Sequence, residues 1–397
     1  MKQIQRHLGT VTALVLLGIL AAATIFSFTA LKHKPQTAER TFQSVLPTPT
    51  TQVSATATPN RPKKDSKDIV VTVVPPEIAP DVLTEPTIIT RRPAPRSELA
   101  VDGDYVVWRS YEDGQTNIVA YNLQTGEERR ISSLPGGKSN LKISGNYVVW
   151  EDVVTTADRV IPMVKVYDLT AGKEMAIGPE NHASTHPDIS DQIVVWNDER
   201  NSQDGWVADI YGYDLQKGKE IPILVGPGLH LFPRVSGDWV IYLDWLPGAD
   251  PGTPSPDQPT LHAHSIRTGE DIDLGPVAYR NDAWSYKRHV ISGQMVAWQG
   301  QDGVTHLYDL AARRERVLPE LQSYDDLVLN GRFFTVGSQL YNVETGAKLA
   351  PLRALQPVAF GPAAQVGAVT TDGQTLVWGF DIGNEGRIYV ARFRRLP

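Results

Sequence analysis

Cysteine is absent from this chain of 397 residues. The protein therefore has no disulfide bond, no thiolate nucleophile, no cysteine-ligated zinc and no lipid-modified cysteine as an anchor. The sequence also lacks a Gly-x-Ser-x-Gly elbow, a His-Glu-x-x-His helix, a phosphate-binding loop and an EF-hand calcium loop. These absences leave no catalytic motif to assign, and we expect neither a cofactor nor a metal.

Basic residues are scarce in the larger part of the chain. Residues 98–397 hold 26 Lys and Arg against 39 Asp and Glu, whereas residues 1–97 hold 12 against 6. An acidic domain of this kind is poorly suited to bind nucleic acid or anionic lipid. We therefore predict no nucleic-acid partner.

A glycine followed five residues later by an aromatic residue recurs along the chain, with aspartate in place of the glycine once and valine in place of the aromatic residue once. The seven pairs are Gly103/Trp108, Gly145/Trp150, Asp191/Trp196, Gly237/Tyr242, Gly293/Trp298, Gly331/Val336 and Gly373/Trp378. Their second members lie 38 to 56 residues apart. Such a period is typical of a repeat protein.

Each repeat reads as four short antiparallel strands. In the third repeat, a turn at 190–192 precedes the apolar run 193–196, and two further strands, 209–215 and 219–223, are divided by a Lys-Gly turn. The second strands are apolar on both sides and need cover on both faces. Small sheets packed around an axis give that cover, so we predict an all-β, seven-bladed β-propeller, with six or eight blades as alternatives.

The repeats also resemble a known family. The stretches "ISGNYVVWED … VKVYDLTAGKEMAI" and "ISDQIVVWNDER … DIYGYDLQKGKEIPI" are similar to the TolB-like propeller repeats of bacterial periplasmic and cell-surface proteins. The resemblance covers about residues 97–393. It implies a propeller outside the cytoplasm, for which a scaffold role in an envelope complex is one candidate.

The seventh repeat ends after its third strand, at 387–393, so the ring needs one more strand. Propellers usually close by borrowing a strand from the other terminus, which leaves no exposed sheet edge. The segment 86–90, Pro-Thr-Ile-Ile-Thr, lies directly before the first repeat. We predict that residues 86–397 form the propeller and that 86–90 closes it.

The N-terminal region predicts a membrane attachment. Residues 11–31 carry no charge, and a helix of that length spans roughly 30 Å, the thickness of a bilayer core. We predict a transmembrane signal-anchor helix there, after a short cytoplasmic N-terminus at 1–10. A cleavable signal peptide, with small residues at 21–23, is the alternative. Residues 32–85 are rich in proline and threonine and predict a disordered stalk.

Loop lengths and aromatic residues predict the binding face. Long loops are predicted between the second and third strands of repeats two to four, at about 151–162, 197–208 and 243–260, and at the entry to repeat five, 275–288. Four aromatic residues that either cover the core or form a ligand platform are Trp206, Trp245, Trp284 and Tyr286. Five polar residues near them in sequence are Asp198, Arg200, His186, His230 and Arg288.

Two further patterns have structural interpretations. An acid two residues after the repeat aromatic, at Asp152, Asp198 and Asp244, is expected to accept hydrogen bonds where the loop leaves the sheet. His262 and His264 share one face of a strand, which suits a metal, but a lone pair of this kind is more often hydrogen-bonded or solvent-facing.

The function expected from these features is non-catalytic binding. We predict a monomeric propeller on the extracytoplasmic side of the cell membrane, held by a single-pass helix, that binds an envelope protein, a peptide or a cell-wall glycan. The alternative is an extracytoplasmic hydrolase or lyase acting on a saccharide or lactone, with His186, His230 and Asp198 as its polar groups.

Overall fold

The structure of the chain is a computed structural model. It describes residues 69–70, 82–84, 86–90, 98–112, 114–133, 135–155, 160–202, 208–226, 228–245, 259–278, 288–318, 327–331, 333–336, 339–343, 365–382 and 385–394. The regular elements within these ranges are β-strands joined by turns. The predicted N-terminus (1–10), membrane helix (11–31) and most of the predicted stalk lie outside the described residues. Among the described residues, no helix has the length and apolar character needed to cross a membrane.

Three short strands precede the first blade: β1 (Ile69–Val70), β2 (Val82–Leu83) and β3 (Thr87–Thr90). Blade 1 consists of β4 (Leu99–Asp102), β5 (Tyr105–Glu112), β6 (Gln115–Asn122) and β7 (Glu128–Arg130). Blade 2 consists of β8 (Lys138–Ser144), β9 (Tyr147–Thr155), β10 (Val160–Asp168) and β11 (Lys173–Ile177). Blade 3 consists of β12 (Ser184–Ser190), β13 (Ile193–Asp198), β14 (Asp209–Asp214) and β15 (Lys219–Leu224).

Blade 4 consists of β16 (Leu229–Ser236), β17 (Trp239–Trp245), β18 (Thr260–Ser265) and β19 (Asp271–Pro276). Blade 5 consists of β20 (His289–Ser292), β21 (Met295–Gln299), β22 (Thr305–Asp309) and β23 (Arg314–Leu318). Blade 6 contains β24 (Leu327–Asn330), β25 (Phe333–Val336) and β26 (Gln339–Asn342). Blade 7 contains β27 (Gln365–Thr371), β28 (Thr375–Ile382) and β29 (Glu385–Arg394).

The seven sheets form a closed ring. The first strand of each blade contacts the first strand of the next, and β27 of blade 7 contacts β4 of blade 1. The repeat aromatic residues lie fully buried between blades: Trp150 packs with Val107 and Ile118 of blade 1, and Trp108 packs with Val377 of blade 7. The prediction of an all-β, seven-bladed propeller is confirmed.

The repeated glycine joins one blade to the next. Gly145 and Gly237 have φ values of 53° and 57°, a left-handed conformation that glycine adopts without strain. The backbone N–H of Gly145 donates to Asp102 Oδ2 at 2.6 Å, and that of Gly237 donates to Ser190 Oγ at 3.0 Å. Equivalent bonds run from Asp191, Gly293 and Gly331 to Ser144, Ser236 and Ser292. The turns of blades 2 to 6 therefore each dock on a short polar side chain of the preceding blade.

Blade 7 takes its outer strand from the N-terminal side of the chain. β3 pairs antiparallel with β29, with Ile88 opposite Tyr389, as the sequence predicts for the closing strand. Two pairings were not predicted, because both lie in the segment assigned to the stalk: β2 pairs antiparallel with the end of β29, and β1 pairs parallel with β23 of blade 5. Both add backbone partners to a strand that would otherwise be a sheet edge.

One predicted long loop is a strand extension. The segment between the second and third strands of blade 2 was expected to be a loop over 151–162. Instead, β9 and β10 continue as a hairpin in which Thr155 lies opposite Val160. The β-branched residues at 153–155 and 160–161 favour extended structure, and their pairing leaves only 156–159 between the strands.

Candidate functional site

The first strands begin, and the second strands end, at one face of the propeller. Because β12 and β13 are antiparallel, Ser184 at the start of one lies opposite Asp198 at the end of the other. Most of the predicted site residues in the described ranges lie at this face: His186 on β12, His230 on β16, Asp198 and Trp245 at strand ends, and Arg288 just before β20. Trp206, Trp284 and Tyr286 lie outside the described residues.

Asp198 and Arg200 form an ion pair in blade 3. Asp198 Oδ2 accepts a hydrogen bond from the indole Nε1 of Trp196 at 2.9 Å, and Asp198 Oδ1 accepts one from the Arg200 backbone N–H. The Arg200 guanidinium pairs with Asp198 and Glu220 and lies 3.9 Å from the ring centroid of Tyr211. These contacts match the structural role that the sequence predicts for the acid.

Trp245 packs into the core. It was expected in a loop, but it is the last residue of β17, lies opposite Leu229, and is 3% exposed. Its side chain belongs to the apolar cluster of blades 4 and 5 that includes Leu243 and Trp298. Of the two interpretations that the sequence allowed for Trp245, a cover for the core and a ligand platform, its position fits the first.

Blade 4 brings together histidines and carboxylates that are far apart in sequence. His262 Nδ1 lies 2.8 Å from Asp271 Oδ1, and the Tyr242 hydroxyl donates to Asp271 Oδ2 at 2.8 Å. Burial opposes the charged form of Asp271, but hydrogen bonds from His262 and His264 outweigh it and lower the pKa of Asp271. The predicted pair thus lies beside one carboxylate: His262 is hydrogen-bonded to Asp271, and His264 Nδ1 lies 3.4 Å from Asp271 Oδ2.

A second carboxylate lies between two imidazoles of this blade. The Nε2 atoms of His230 and His262 lie 3.7 Å and 3.9 Å from the two oxygens of Asp244. His262 Nε2 also lies 3.0 Å from the Thr260 hydroxyl. Within the described parts of the chain, no group of three or more His, Asp and Glu side chains is arranged so as to hold a metal ion.

The innermost strands of blades 2, 3 and 4 are bulged where they begin. The register of the first two strands shifts between Ser139 and Lys142, between Thr185 and Asp188, and between Leu231 and Arg234. Inside these bulges, three residues other than glycine have positive φ: Asn140 (56°), His186 (53°) and Phe232 (58°). A non-glycine residue in this conformation is uncommon and marks a backbone that its surroundings hold in place.

Each bulge is held by a polar side chain nearer the N-terminus. The backbone N–H of Asn140 donates to Glu98, that of His186 to Glu151 at 3.0 Å, and that of Phe232 to Asn197 at 2.9 Å. Five residues share one position in repeats one to five, five residues before the repeat glycine or aspartate. We call them the channel rim: Glu98, Asn140, His186, Phe232 and Arg288. The rim thus contains an acid, an amide, an imidazole, a phenyl ring and a guanidinium, at the start of the first strands or directly before them.

Two rim residues, His186 of blade 3 and Phe232 of blade 4, belong to a group that also includes Arg234 of blade 4 and His289 of blade 5. We call this group the Arg234 site. His289 Nε2 lies 2.7 Å from the Phe232 carbonyl oxygen, and the rings of His186 and Phe232 meet edge to face at 4.7 Å. Burial and the charge of Arg234 lower the pKa of both His186 and His289 to about 3. Both imidazoles are therefore neutral near pH 7.

The tautomer of His289 follows from this geometry. A carbonyl oxygen only accepts hydrogen bonds, so Nε2 of the neutral ring carries the proton and Nδ1 presents a lone pair. His289 is 0% exposed, and among the described residues no donor reaches its Nδ1 atom. A buried acceptor of this kind is a polar atom that a ligand donor can satisfy.

Arg234 and His289 were not among the predicted site residues. Their signal was present in the sequence: "THPDIS" and "LFPRVS" occupy the same place in repeats three and four, and "KRHVIS" occupies it in repeat five. The bulges that bring these residues together are not visible in that pattern, because the signal for a strand is its alternation and not its register.

The chain was compared with known proteins. No protein-family model and no curated protein matches its sequence. Solved structures with similar folds include TolB from Acinetobacter baumannii, with 17% identity, a TM-score of 0.41 and coverage of 59% of this chain. The present chain covers 55% of the TolB chain. They also include BamB from Moraxella catarrhalis, with 13% identity, a TM-score of 0.42 and coverage of 76% of this chain and 84% of that one.

A prolyl endopeptidase is another neighbour, with 13% identity and a TM-score of 0.51, and it matches over 72% of this chain and 44% of that one. Likeness at this level of identity concerns the fold alone. One fold hosts many unrelated functions, so the propeller does not by itself choose between a binding protein and an enzyme. The chain is a seven-bladed β-propeller whose structural neighbours include TolB, BamB and other propeller proteins.

Proposed function

We propose that this protein is a membrane-anchored, extracytoplasmic binding module whose propeller recognises a protein or peptide at the channel rim. The observation that carries the proposal is the rim itself. Three of its five residues sit in positive-φ bulges that hydrogen bonds hold in place, so the surface is preorganised. Its mixture of charge, amide and aromatic groups suits a polypeptide, which offers all the complementary groups; a cell-wall glycan is the alternative ligand.

Membrane attachment is part of the same proposal. Residues 11–31 would span the membrane once, and the proline- and threonine-rich segment that follows would hold the propeller away from the bilayer on the outside. Protease treatment of intact spheroplasts checks this arrangement. The propeller should be cleaved from outside, whereas protection of the propeller in intact spheroplasts would contradict the outward orientation.

Binding is tested with the full chain reconstituted in lipid nanodiscs. The protein is incubated with envelope extract, cross-linked and analysed for specific partners, and the same experiment is done with Phe232→Ala at the rim. Tyr111→Ala is the matched control, because Tyr111 is an aromatic residue 66% exposed on blade 1. We expect a partner that wild type and Tyr111→Ala retain and Phe232→Ala loses. Equal capture by all three would show that the rim is not the binding surface.

One observation favours an enzyme as the second candidate. The two imidazoles beside Asp244 resemble a general acid–base set, since each Nε2 atom lies within 4 Å of a carboxylate oxygen. An extracytoplasmic hydrolase or lyase for a saccharide or lactone would use such a group to move a proton. Turnover of a panel of oligosaccharides and lactones that is abolished by Asp244→Asn, with unchanged thermal stability, would support this alternative over simple binding.

A further inference from the structure

We propose that Thr260 of blade 4 is a nucleophile for acyl transfer from a carboxylic ester, with His262 as its general base and Asp271 as the residue that positions the base. We call these three residues the Thr260 triad. The reaction goes beyond the proposed binding function and does not depend on it. It also differs from the second candidate function, which has no covalent nucleophile.

The three side chains form one hydrogen-bonded series. The Thr260 hydroxyl lies 3.0 Å from His262 Nε2, and His262 Nδ1 lies 2.8 Å from Asp271 Oδ1. A hydroxyl within hydrogen-bond reach of a base, which a third group orients, is the arrangement that activates serine and threonine as nucleophiles. One strand supplies both Thr260 and His262, because residues two apart share a face of β18.

The direction of the hydrogen bonds follows from the chemistry of each group. Burial opposes the charge of Asp271, but the hydrogen bonds that it accepts lower its pKa, so it is ionised near pH 7. A carboxylate only accepts hydrogen bonds. The neutral ring of His262 therefore carries its proton on Nδ1 and presents a lone pair at Nε2. The Thr260 hydroxyl donates to this lone pair, as a nucleophile donates to its base.

The reactive end of the triad lies at the same face of the propeller as the channel rim. Thr260 is the first residue of β18 and is half-buried, whereas His262 is 3% exposed. Backbone pairing with Asp244 on one side and Pro276 on the other fixes the position of Thr260. Thr260 thus keeps contact with solvent on a rigid element, while its base is shielded.

The blade does not require a hydroxyl at this position. In blades 2, 3 and 5, the residues two positions before the equivalent of His262 are Met163, Asp209 and Val304. In blade 5, the Nε2 atom of His306 lies 3.1 Å from a carboxylate oxygen of Asp302 and not beside a hydroxyl. Sheet packing therefore does not account for the hydroxyl of Thr260.

The geometry supports a two-step reaction that needs only water as a co-reactant. Thr260 Oγ1 attacks the ester carbonyl carbon and its proton passes to His262 Nε2. The bond from that carbon to the alkoxy oxygen then breaks, and the leaving oxygen takes the proton and departs as an alcohol. Water next attacks the acyl carbon and gives a proton to Nε2. The bond to Oγ1 breaks, Oγ1 recovers that proton, and a carboxylic acid leaves.

Two carboxylates stabilise the imidazolium that forms in each step. Asp271 is hydrogen-bonded to Nδ1 of His262, and Asp244 Oδ2 lies 3.9 Å from Nε2. Negative charge on both sides of the ring favours its protonated form during the reaction.

The nucleophile is tested in the full chain with p-nitrophenyl acetate. Acyl transfer releases p-nitrophenolate, which is followed by absorbance, and peptide mass spectrometry after an early acid quench locates the acetyl group. We expect wild type to be acetylated on Thr260 and Thr260→Ser to keep the reaction. Thr260→Val has a similar shape without the hydroxyl and should lose it. Thr170→Val, at an exposed threonine of blade 2, is the matched control and should react as wild type. Equal release by wild type and Thr260→Val would overturn the inference.

The base is tested with His262→Gln. The variant should slow the release that depends on Thr260 by about 100-fold, since a general base contributes at least that factor. Unchanged release would show that His262 is not the base and would overturn the triad. If His262→Gln does not fold, the comparison of Thr260→Ser with Thr260→Val still decides on the nucleophile.

The positioning role of Asp271 is tested with Asp271→Asn. The Tyr242 hydroxyl donates to Oδ2 at 2.8 Å, so the asparagine oxygen should take that place and turn its NH₂ group toward His262 Nδ1. The ring proton then moves to Nε2, which no longer accepts from Thr260. Nitrogen NMR should find the proton on Nδ1 in wild type and on Nε2 in the variant, with slower acyl transfer. An unchanged tautomer would overturn the assignment of Asp271.

The results also separate the triad from the binding role. Loss of acyl transfer in Thr260→Val with unchanged partner capture supports a reaction that is independent of the rim. Equal release by wild type and Thr260→Val would overturn the triad alone, because neither rim binding nor the acid–base group at Asp244 uses the Thr260 hydroxyl.

Discussion

The propeller holds histidine in two environments that shift its pKa in opposite directions. His186 and His289, in the Arg234 site, have pKa values lowered to about 3 by burial and by the charge of Arg234. His306, on the third strand of blade 5, is also partly desolvated, but hydrogen bonds to Glu315 and Asp302 outweigh that effect and raise its pKa. The same side chain is thus neutral in one place and favours its cation in the other.

The neighbours, rather than the depth of burial alone, account for the difference. His306 lies opposite Trp298, its Nδ1 is 2.6 Å from Glu315, and its Nε2 is 3.1 Å from Asp302. Two carboxylates around one ring favour its protonated form. At the Arg234 site, the nearby charge is the Arg234 guanidinium, which disfavours the protonated forms of His186 and His289.

The environment of His306 is one version of a repeated arrangement. In blades 2 to 5, a residue opposite the repeat aromatic is followed nine positions later by a carboxylate: Lys165/Glu174, Tyr211/Glu220, His262/Asp271 and His306/Glu315. Blade 2 pairs this carboxylate with Lys165, and blade 3 pairs it with Arg200. Blades 4 and 5 use histidine instead. The pair in blade 5 depends on pH, because hydrogen bonds to Glu315 and Asp302 raise the pKa of His306.

The largest effect is expected from Glu315→Gln. It removes the buried partner of His306, so the free energy of unfolding should fall by about 3 kcal/mol at pH 6. Because the pKa of His306 is raised in the folded state, its contribution is present below the unfolded value near 6.5 and is lost as pH rises through the folded value. The loss should therefore be smaller at pH 9. Urea unfolding at both pH values measures it.

An exposed ion pair gives the control for that measurement. Lys217 pairs with Asp214 but is 74% exposed, so Lys217→Ala should change the stability little at either pH. If Glu315→Gln were as mild as Lys217→Ala at pH 6, the interpretation of His306 as a stabilising cation would be wrong.

His289→Gln should have the next largest effect, in the opposite direction with pH. A histidine whose folded pKa is depressed stabilises the protein above its unfolded pKa near 6.5, and this stabilisation is lost as pH falls toward 3. Between pH 7 and pH 5, His289 lowers the free energy of unfolding of the wild-type protein by about 2 kcal/mol. The glutamine variant should not show this decrease. The measurement compares urea unfolding at pH 5 and pH 7. His182→Gln, at an exposed histidine, should behave as wild type.

Arg234→Gln should flatten the acid dependence by a smaller amount. Removal of the guanidinium should raise the pKa of His186 and of His289, but burial, which is the larger cause of their lowered pKa, remains. We expect the stability difference between pH 5 and pH 7 to shrink by about 1 kcal/mol relative to wild type. An unchanged difference would mean that Arg234 does not set these pKa values. The comparison uses the slope with pH, so a uniform loss of stability does not affect it.

The smallest effect is expected from Asp191→Gly, which lies away from both histidine environments. Asp191 has a φ of 53°, where the other repeats have glycine, and its backbone N–H would keep the bond to Ser144. Relief of the strained conformation should raise the stability by about 0.5 kcal/mol at every pH from 5 to 9. Thermal unfolding of Asp191→Gly across that range gives a pH-independent reference for the stability changes of the histidine variants. A gain in stability at only one pH would contradict the strain explanation.

The fold was predictable because it is periodic. The spacing of Gly145 and Trp150 recurs along the chain, and each copy needs a neighbour to cover its apolar second strand. The closing strand followed from a count: the last repeat lacked a strand, and the segment 86–90 had the composition of one. The pairing of Ile69–Val70 with β23 could not be predicted in this way, since no pattern in the sequence specifies which sheet edge a short apolar segment joins.

The candidate site was less predictable, because it lies between blades. His186 was singled out from sequence, but its role depends on Arg234 and His289, which reach it through bulges whose register the sequence does not display. Asp198 and Arg200 were singled out for the same reasons of type and position, and the structure shows them bonded to each other. Residue type and loop position singled out residues that lie at one face of the propeller, but not the neighbouring residues of the Arg234 site.

The bonds between consecutive turns have a consequence for how such a ring can change in evolution. The five joints from blade 1 to blade 6 each use a backbone N–H on one blade and a short side-chain oxygen on the blade before it, as between Gly237 and Ser190. Neither partner is specific to a particular pair of blades. A blade copied by gene duplication would therefore fit after any other at this joint, so gain or loss of a whole repeat demands little new sequence there, and the adjustment falls on the segment that closes the ring.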